Sequence, residues 1–399
     1  MYTLFILKRM LEDIIIFPFV LWGRINSRRH IQHQPYDIIF IFPFYHTGGA
    51  EKVHLEIAKV FSQKKCLILF TRKSADACFK EAFELTGHDI IDISSFTDNK
   101  FKYWNKLIWR GIISALIHAQ SHKTVIFNGQ SNFGYKLSRW VSPTYKQIEL
   151  IHSFNSFSWI RIPFIRNYAK TIMISHKAID QHRSQYKKLR IPNSYLNRIV
   201  YINNGIALEK NFTSAKVFEG KLRVLYVGRA TNEKRPALFA HIAQFVHYHS
   251  IDMDFEMAGD IAPFLNEEIK NNIVFHGPIH DSAMMTNLYD QADIVMITSS
   301  EEGFPLVVME AMARGCIIIS TPVGDIPHHI QHGENGFLFS SANDEQRILE
   351  ESMLIMRKLN NDRGILKHIS QNNVRYAQEH FDLGTFATSY RTLLESINV

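Results

Sequence analysis

At 399 residues and 46% hydrophobic content the chain is globular and too long for one compact core, so two domains are the default. Three widely spaced cysteines, Cys66, Cys78 and Cys316, exclude a disulfide framework or a zinc pattern and point to a reducing compartment. The net charge of +7 hides a split: residues 1–200 hold 29 Lys and Arg against 13 Asp and Glu, a net of +16, and the remainder holds 16 against 25, a net of −9.

A basic half joined to an acidic half directs the first half toward an anionic surface, nucleic acid or lipid. Residues 1–36 form an apolar and basic segment. Within it Ile14–Trp22 (IIIFPFVLW) is too short to span a bilayer unaided. Lys8, Arg9, Glu12 and Asp13 interrupt the apolar stretch before it, and Arg24, Arg28 and Arg29 follow. No small-residue cleavage site follows, which argues against a signal peptide. Two readings fit: an interfacial or partly inserted anchor, and an extra helix packed on the first domain.

From Asp37 onward, short β-branched or aromatic runs alternate with helical patterns, the signature of parallel α/β structure. The spacing predicts strands at Ile38–Phe42, Cys66–Phe70, Ile90–Ile93, Val125–Asn128, Ile148–Ile151, Thr171–Ile174 and Val200–Asn203. A second set is predicted at Arg223–Val227, Asp254–Ala258, Ile273–His276, Ile294–Thr298 and Ile317–Ser320. The polar, weakly patterned stretch Ala207–Lys221 reads as the linker between the sets, and residues from about Asn343 to Val399 read as helices. The expected division is 37–207 and 208–382, with a helix over 383–399 returning to the first domain. Doubly wound domains bind ligands at the carboxyl ends of their strands. Gly48-Gly49-Ala50-Glu51, His152, Gly228-Arg229, Gly259-Asp260 and Glu302 all follow predicted strands.

Arg229 lies just after a strand, with Lys234 five residues on. Two such cations can clamp a diphosphate, Arg through its planar fork and Lys as a point charge; a solvated turn is the plain alternative. In "SSEEGFPLVVMEAMARG", Pro305 suits the first helical position of a helix over Leu306–Arg314, and Gly315 stops it. That helix start offers N–H groups and positive potential to a phosphate. Glu302 and Glu310 cannot bind phosphate, but they accept hydrogen bonds from hydroxyls, so a ligand carrying phosphate and polyol together, such as a sugar nucleotide, accounts for all three features. A capped helix with one buried and one solvated glutamate is the alternative.

Other signals compete. Asp252 and Asp254 have the spacing of a metal-dependent transferase pair but sit at the start of a strand, the wrong end for ligand. His328 to His332 (HHIQH) carries zinc-like spacing without an acid or cysteine nearby. The segments Lys100–Gly111 and Ser156–Lys170 mix basic and aromatic residues, which fits a membrane interface, single-stranded nucleic acid, or amphipathic helices with solvated basic faces. The apolar N-terminus favours membrane over nucleic acid.

The order of GGAE, a His after a strand, NG, VGR with Lys five later, G-D, and the Glu-Gly-Phe to Glu-Ala-Met block resembles glycosyltransferase family four, from about Asp37 to the C-terminus and most strongly over Arg223–Phe339. The resemblance implies the GT-B architecture, two Rossmann-like doubly wound domains facing across a cleft. It further implies a retaining transferase with a nucleotide-sugar donor, a UDP- or GDP-sugar, and no metal. Arg229 and Lys234 would hold the donor diphosphate, with Gly228 and Gly259 beside them. Backbone N–H groups of Gly303, Phe304, Pro305 and Leu306 would hold sugar and phosphate. Glu302 would accept from the sugar and Glu310 from the ribose; Gly48 and Gly49 would let a loop close on the donor; His152 would contact the donor sugar. His152, Arg229, Lys234 and Glu302 are thus the expected catalytic set. The acceptor is expected to be a glycan or lipid-linked glycan of the bacterial envelope, handled in the cytoplasm at the inner face of the membrane. Three departures stand out: Ala207 after "NGI" where the family often has Asp, Pro327-His328 for Pro-Glu, and Pro305 for Gly. A nucleotide-sugar epimerase of the same fold and a non-catalytic polyanion- or membrane-binding protein are the alternatives.

Overall fold

The computed structural model describes residues 1–31, 34–99, 101–209 and 216–397. Lys100 and residues 210–215 of the expected linker lie outside them. The chain divides into two compact units, Met1–Asn203 with Phe386–Val399, and Asn204–Thr385.

The first unit holds seven strands: β1 (Ile38–Phe42), β2 (Cys66–Phe70), β3 (Asp89–Asp92), β4 (Val125–Asn128), β5 (Lys146–Ile151), β6 (Lys170–Met173) and β7 (Ile199–Tyr201). They form one parallel sheet in the order β3-β2-β1-β4-β5-β6-β7. Ile38 pairs with Cys66 on one side and Val125 on the other. β1, β2 and β4 are buried at every position, which is why they read as unbroken apolar runs rather than alternating ones. The second unit holds β8 (Leu222–Val227), β9 (Met253–Ala258), β10 (Ile273–Gly277), β11 (Ile294–Ile297), β12 (Ile317–Ser320) and β13 (Gly336–Leu338), in the order β10-β9-β8-β11-β12-β13. Both sheets are doubly wound, as the sequence predicts, and every predicted strand lies within two residues of its place. β13 escapes prediction because three residues opened by a glycine carry no period.

Four expectations change. Ala207–Lys221 is no free linker: Ile206 bridges Asp382, Phe218 enters the second unit's core, and Lys216 Nζ donates to the carbonyls of Tyr289, Asp290 and Ala292. Pro305 precedes the helix Leu306–Ala313 as its N-cap, with extended ψ of 132°, rather than opening it. The segment Ser156–Lys170 is not a basic surface. Arg161 is fully buried, bonded through Nε to Glu149 Oε2 at 3.0 Å and through a second nitrogen to Oε1, and Ile162, Phe164 and Ile165 join the core. Arg110 in the other basic-aromatic segment is likewise 1% exposed. In each segment one arginine has left the basic face for the interior, while Lys102 stays exposed.

The N-terminal segment forms one helix, α1 (Tyr2–Ile25), packed on the helix Tyr103–His118. A Cβ at Gly23 would lie 2.0 Å from Ile108 O, and one at Gly111 would lie 2.0 Å from Val20 O, so the two helices cross in backbone contact.

Candidate active site

In each sheet the strand order reverses beside the first strand of the unit, between β1 and β4 and between β8 and β11. Such reversals open a crevice at the carboxyl ends of the strands.

In the second unit the chain leaving β8 runs through Gly228 and Arg229 to Lys234. Arg229 is exposed. Lys234 Nζ lies 2.5 Å from Glu302 Oε1, which also accepts from Ser299 Oγ at 2.7 Å. The two residues that the sequence places in separate roles are therefore an ion pair, joined across the crevice between β8 and β11. The glutamate side chain is 9% exposed and the lysine 24%, so the pair is shielded but reachable.

Arg235, one residue on, explains how Lys234 is aimed. Its backbone is left-handed, with φ of 48°, and its guanidinium donates to Thr298 O at 2.7 Å, Ser299 O at 3.1 Å and Ala342 O at 2.6 Å. Thr298 Oγ1 and Tyr226 OH donate to Lys234 O. The loop is stapled to the end of β11, and Lys234 projects from it. Sequence alone offers three cations here, and only the fold separates a staple from a ligand-facing group.

Two glycine contacts shape the same end of the sheet. Gly259 has φ of 136°, and a Cβ there would sit 1.9 Å from Gly228 O. Gly324 has φ of 59°, and a Cβ there would sit 2.0 Å from Gly303 O. Asp325 N–H donates to that same Gly303 carbonyl at 2.7 Å. Gly324 was not among the expected residues, although its place after the Ile317–Ser320 strand parallels that of Gly259. The helix Leu306–Ala313 starts without a side-chain cap, and in its first turn Val308 N–H donates to Pro305 O at 3.1 Å. Pro305 must be removed from the expected N–H donors, because proline has none. Phe304 is buried and stacked on His329, ring centroids 4.1 Å apart, so it contributes backbone and packing. Glu310 Oε2 accepts from Tyr289 OH at 3.0 Å, and burial followed by that carboxylate holds the phenol proton well above its ordinary range.

Of the competing metal signals, the Asp252/Asp254 pair falls away on position, whereas His328 has the carboxylate of Asp325 within 4.8 Å, the nearby acid that the sequence reading lacked. Asp252 pairs with Lys221 at 2.7 Å at the amino end of β9, opposite Gly259. His329 stacks on Phe304 and bonds Tyr376 OH, and His332 bonds Leu338 O.

In the first unit the groups after the strands include a carboxylate, Glu51, 3.6 Å from His46 Nε2, and a pair of imidazoles. His152 follows β5, and its Nε2 lies 3.0 Å from His54 Nε2, so one ring donates and the other accepts. His54, on α2 (Gly49–Val60), is fully buried and stacks on Phe42 at the end of β1, 4.3 Å between centroids. Gln130 Oε1 accepts from the His152 backbone N–H. Burial pushes the His152 imidazole down to about 4, and burial plus His152 pushes His54 well below its ordinary value. His54 was missed: at helical spacing among apolar residues it reads as core. Gly48 has an extended φ of 177°, so its glycine is not needed for backbone freedom. A Cβ there would meet Glu51 Oε2 at 2.1 Å. The loop before it is held by Ser74 Oγ, which accepts from Tyr45 N–H, and by Asp76, which accepts from Thr47 N–H.

Residues 221–355 match the family described as glycosyl transferases group 1. The match lies within the second unit, and the chain has the GT-B fold. The chain is 23% identical over 236 residues to N-acetyl-alpha-D-glucosaminyl L-malate synthase of Bacillus anthracis, across 55% of this chain and 58% of that one. It is 27% identical over 125 residues to D-inositol 3-phosphate glycosyltransferase of Paenarthrobacter aurescens, across 29% and 31% of the two chains. The chain thus spans well under two thirds of either relative. Among solved structures it resembles Anabaena Alr3699/HepE in complex with UDP and glucose, with a TM-score of 0.70 and 18% identity over 91% of this chain and 100% of that one. It also resembles the lipopolysaccharide outer core galactosyltransferase WaaB, with a TM-score of 0.67 and 16% identity over 92% and 100%.

Proposed function

We propose that this glycosyltransferase moves a sugar from a UDP- or GDP-sugar to a hydroxyl of a glycan or lipid-linked acceptor, with retention at the anomeric carbon, in bacterial cell-surface polysaccharide or lipopolysaccharide synthesis. The observation that carries the reading is the Lys234–Glu302 pair at the β8/β11 reversal, beside Arg229 and an uncapped helix start. In the reaction the bond from the anomeric carbon to the phosphate oxygen breaks, and a bond to the acceptor oxygen forms on the same face. The acceptor proton passes to the departing phosphate. Lys234, Arg229 and the N–H groups of Gly303, Phe304 and Leu306 meet the charge that develops on the diphosphate, a task that rewards preorganised donors over mobile water. Glu302 accepts from the sugar hydroxyls, and Glu310 from the ribose. His152 is the first unit's candidate contact with the sugar; neutral at working pH, it can donate or accept without adding charge. The likeness to the Anabaena structures in complex with UDP and UDP-glucose supports the donor class, and the likeness to the lipopolysaccharide outer core galactosyltransferase WaaB supports the pathway class. We place the protein in the cytoplasm, where nucleotide sugars are made, peripherally at the inner face of the membrane.

Protein cations and backbone N–H groups supply the diphosphate's counter-charge in this reading, so no metal is assigned to it. The test is a thermal-shift screen of the purified chain against UDP- and GDP-sugars, followed by turnover with and without a chelator. Stabilisation by one donor family and turnover unchanged by chelation are expected. Loss of turnover on chelation, restored by a divalent cation, overturns the metal-free assignment; no donor shift at all overturns the donor site.

A further inference from the structure

Helix α1 is built inside out. Its charged residues face the protein: Arg9 pairs with Asp13 at 2.8 Å, Asp13 with Arg139 at 3.0 Å, and Arg24 donates to Ser114 Oγ and Trp140 O. Its outward face is apolar. Leu4, Leu11, Ile14, Ile15, Trp22 and Ile25 are 62 to 72% exposed, a stripe at helical spacing that runs the length of the element. Charge on the outward side is confined to Lys8 and to Glu12, whose side chain is 45% exposed beside Arg9. A surface helix of a water-soluble unit has the opposite arrangement. The stripe is not waiting to turn inward, because the inner face already meets the helix Tyr103–His118 through Gly23 and Gly111. That helix extends the apolar band: Trp104 stacks on Phe19 with centroids 4.7 Å apart, and Phe101 just before it is 99% exposed.

We propose that α1 is a membrane-docking element that lies in the plane of an anionic bilayer with its apolar stripe among the acyl chains. Charge favours this occupant. The one carboxylate at the edge of the exposed face, Glu12, is paired with Arg9 at 2.8 Å, and exposed Arg28, Arg29 and Lys102 flank the band with Lys8. Trp22, Tyr103 and Trp104 have the ring chemistry that settles at headgroup depth. Spanning is the wrong geometry, since the Arg9–Asp13–Arg139 network pins the middle of α1 to the folded unit. Among the described residues no helix is long and apolar enough to cross a membrane. A second copy of the chain fits less well, because a two-fold contact along the stripe sets Lys8, Arg28 and Arg29 against their own copies. The docking element extends the location part of the proposed function and is independent of sugar transfer.

The experiment is co-sedimentation of the full chain with phosphatidylcholine vesicles and with vesicles of phosphatidylcholine and phosphatidylglycerol. Truncating α1 is avoided, because it would uncover the Tyr103–His118 helix. Instead the double variant Ile14→Glu/Ile15→Glu places carboxylates on the stripe without touching the inner face. The wild type pellets with the mixed vesicles, less so in high salt, and the double variant loses binding by about tenfold or more. Circular dichroism, thermal unfolding and donor-induced thermal shift stay unchanged, so a failed donor site and a failed docking surface give different results. Leu11→Glu is the second variant should the double one misfold, with the same loss expected. Equal pelleting of wild type and variant, or no pelleting of the wild type, overturns the proposal. So does a solution dimer that both substitutions dissociate, which would give the stripe to a second copy.

Discussion

The two units share a sheet order and differ in what fills the crevice at its reversal. In the second unit the β8/β11 crevice holds ionised groups, Lys234 with Glu302, and close backbone contacts at Gly259 and Gly324. In the first, the β1/β4 crevice holds two neutral imidazoles, His54 and His152, against the ring of Phe42. One topology thus carries an ion pair at one reversal and a pair of imidazoles at the other. The fold supplies the crevice, and a few residues at strand ends decide its electrostatics.

The comparison breaks most readily at its charged side. Lys234→Ala and Arg229→Ala are each expected to lower donor turnover by ~10²-fold or more, because each removes a charge from the leaving diphosphate. Lys234→Ala also leaves Glu302 shielded and without its cation. Near-normal turnover in both variants, with thermal unfolding unchanged, would remove the clamp.

The neutral side carries a pH signature. A free imidazole titrates near ~6.5, whereas His152 is held down to about 4 in the folded unit. Between those values the unfolded chain binds protons that the folded unit refuses, so stability is fully present above the upper value and falls as pH drops toward the lower. For His152 alone the loss is on the order of 3 kcal/mol, and His54 adds to it in the same direction. Denaturant unfolding followed from pH 8 to about pH 4 should show this slope, and a His54→Phe/His152→Asn variant should flatten it. An equal slope in that variant would mean that the two rings do not set it.

Gly259→Ala tests the backbone contacts. The new methyl would meet Gly228 O in a left-handed residue, so a loss of roughly 2–4 kcal/mol is expected in thermal unfolding, with weakened donor binding. A stable variant with normal donor binding would show that the two loops can move apart.

Much of this was legible in sequence, and the reasons differ by element. Buried parallel strands announce themselves as apolar runs, so the strands came out close to their observed ends, while β13, with Gly336 and two apolar residues, was too short to show a period. Arg229, Lys234, Gly259, Glu302 and His152 follow the carboxyl ends of strands, as the sequence places them. Sequence could not show that Lys234 and Glu302 are partners, because 68 residues separate them. Nor could it show that Arg235 staples its own loop, or that Arg161 and Arg110 lie inside. His54 looks like core by spacing and is core by burial, and only contact with His152 gives it a second role. The N-terminal segment left two readings open, anchor and packed helix; its inner face packs as the second reading has it, and its outer face has the composition of the first.

The smallest expected effect concerns the ribose end of the charged crevice. Glu310 accepts from Tyr289 OH through Oε2, an arrangement that fixes the carboxylate before any ligand arrives. Ribose hydroxyls lie far from the breaking bond, so their contacts contribute equally to the ground state and the transition state. Uniform binding of that kind lowers KM without changing kcat. Glu310→Gln is therefore expected to raise donor KM about tenfold with kcat nearly unchanged, since a neutral amide still accepts one bond but loses the charge-assisted one. Tyr289→Phe is expected to raise KM only about two- to threefold, because it frees the carboxylate to turn without removing it. Steady-state kinetics on the two variants, with a 2′-deoxynucleotide donor as the control substrate, checks both. If Glu310→Gln instead lowered kcat and left KM alone, Glu310 would belong with Lys234 at the reacting end rather than with the ribose.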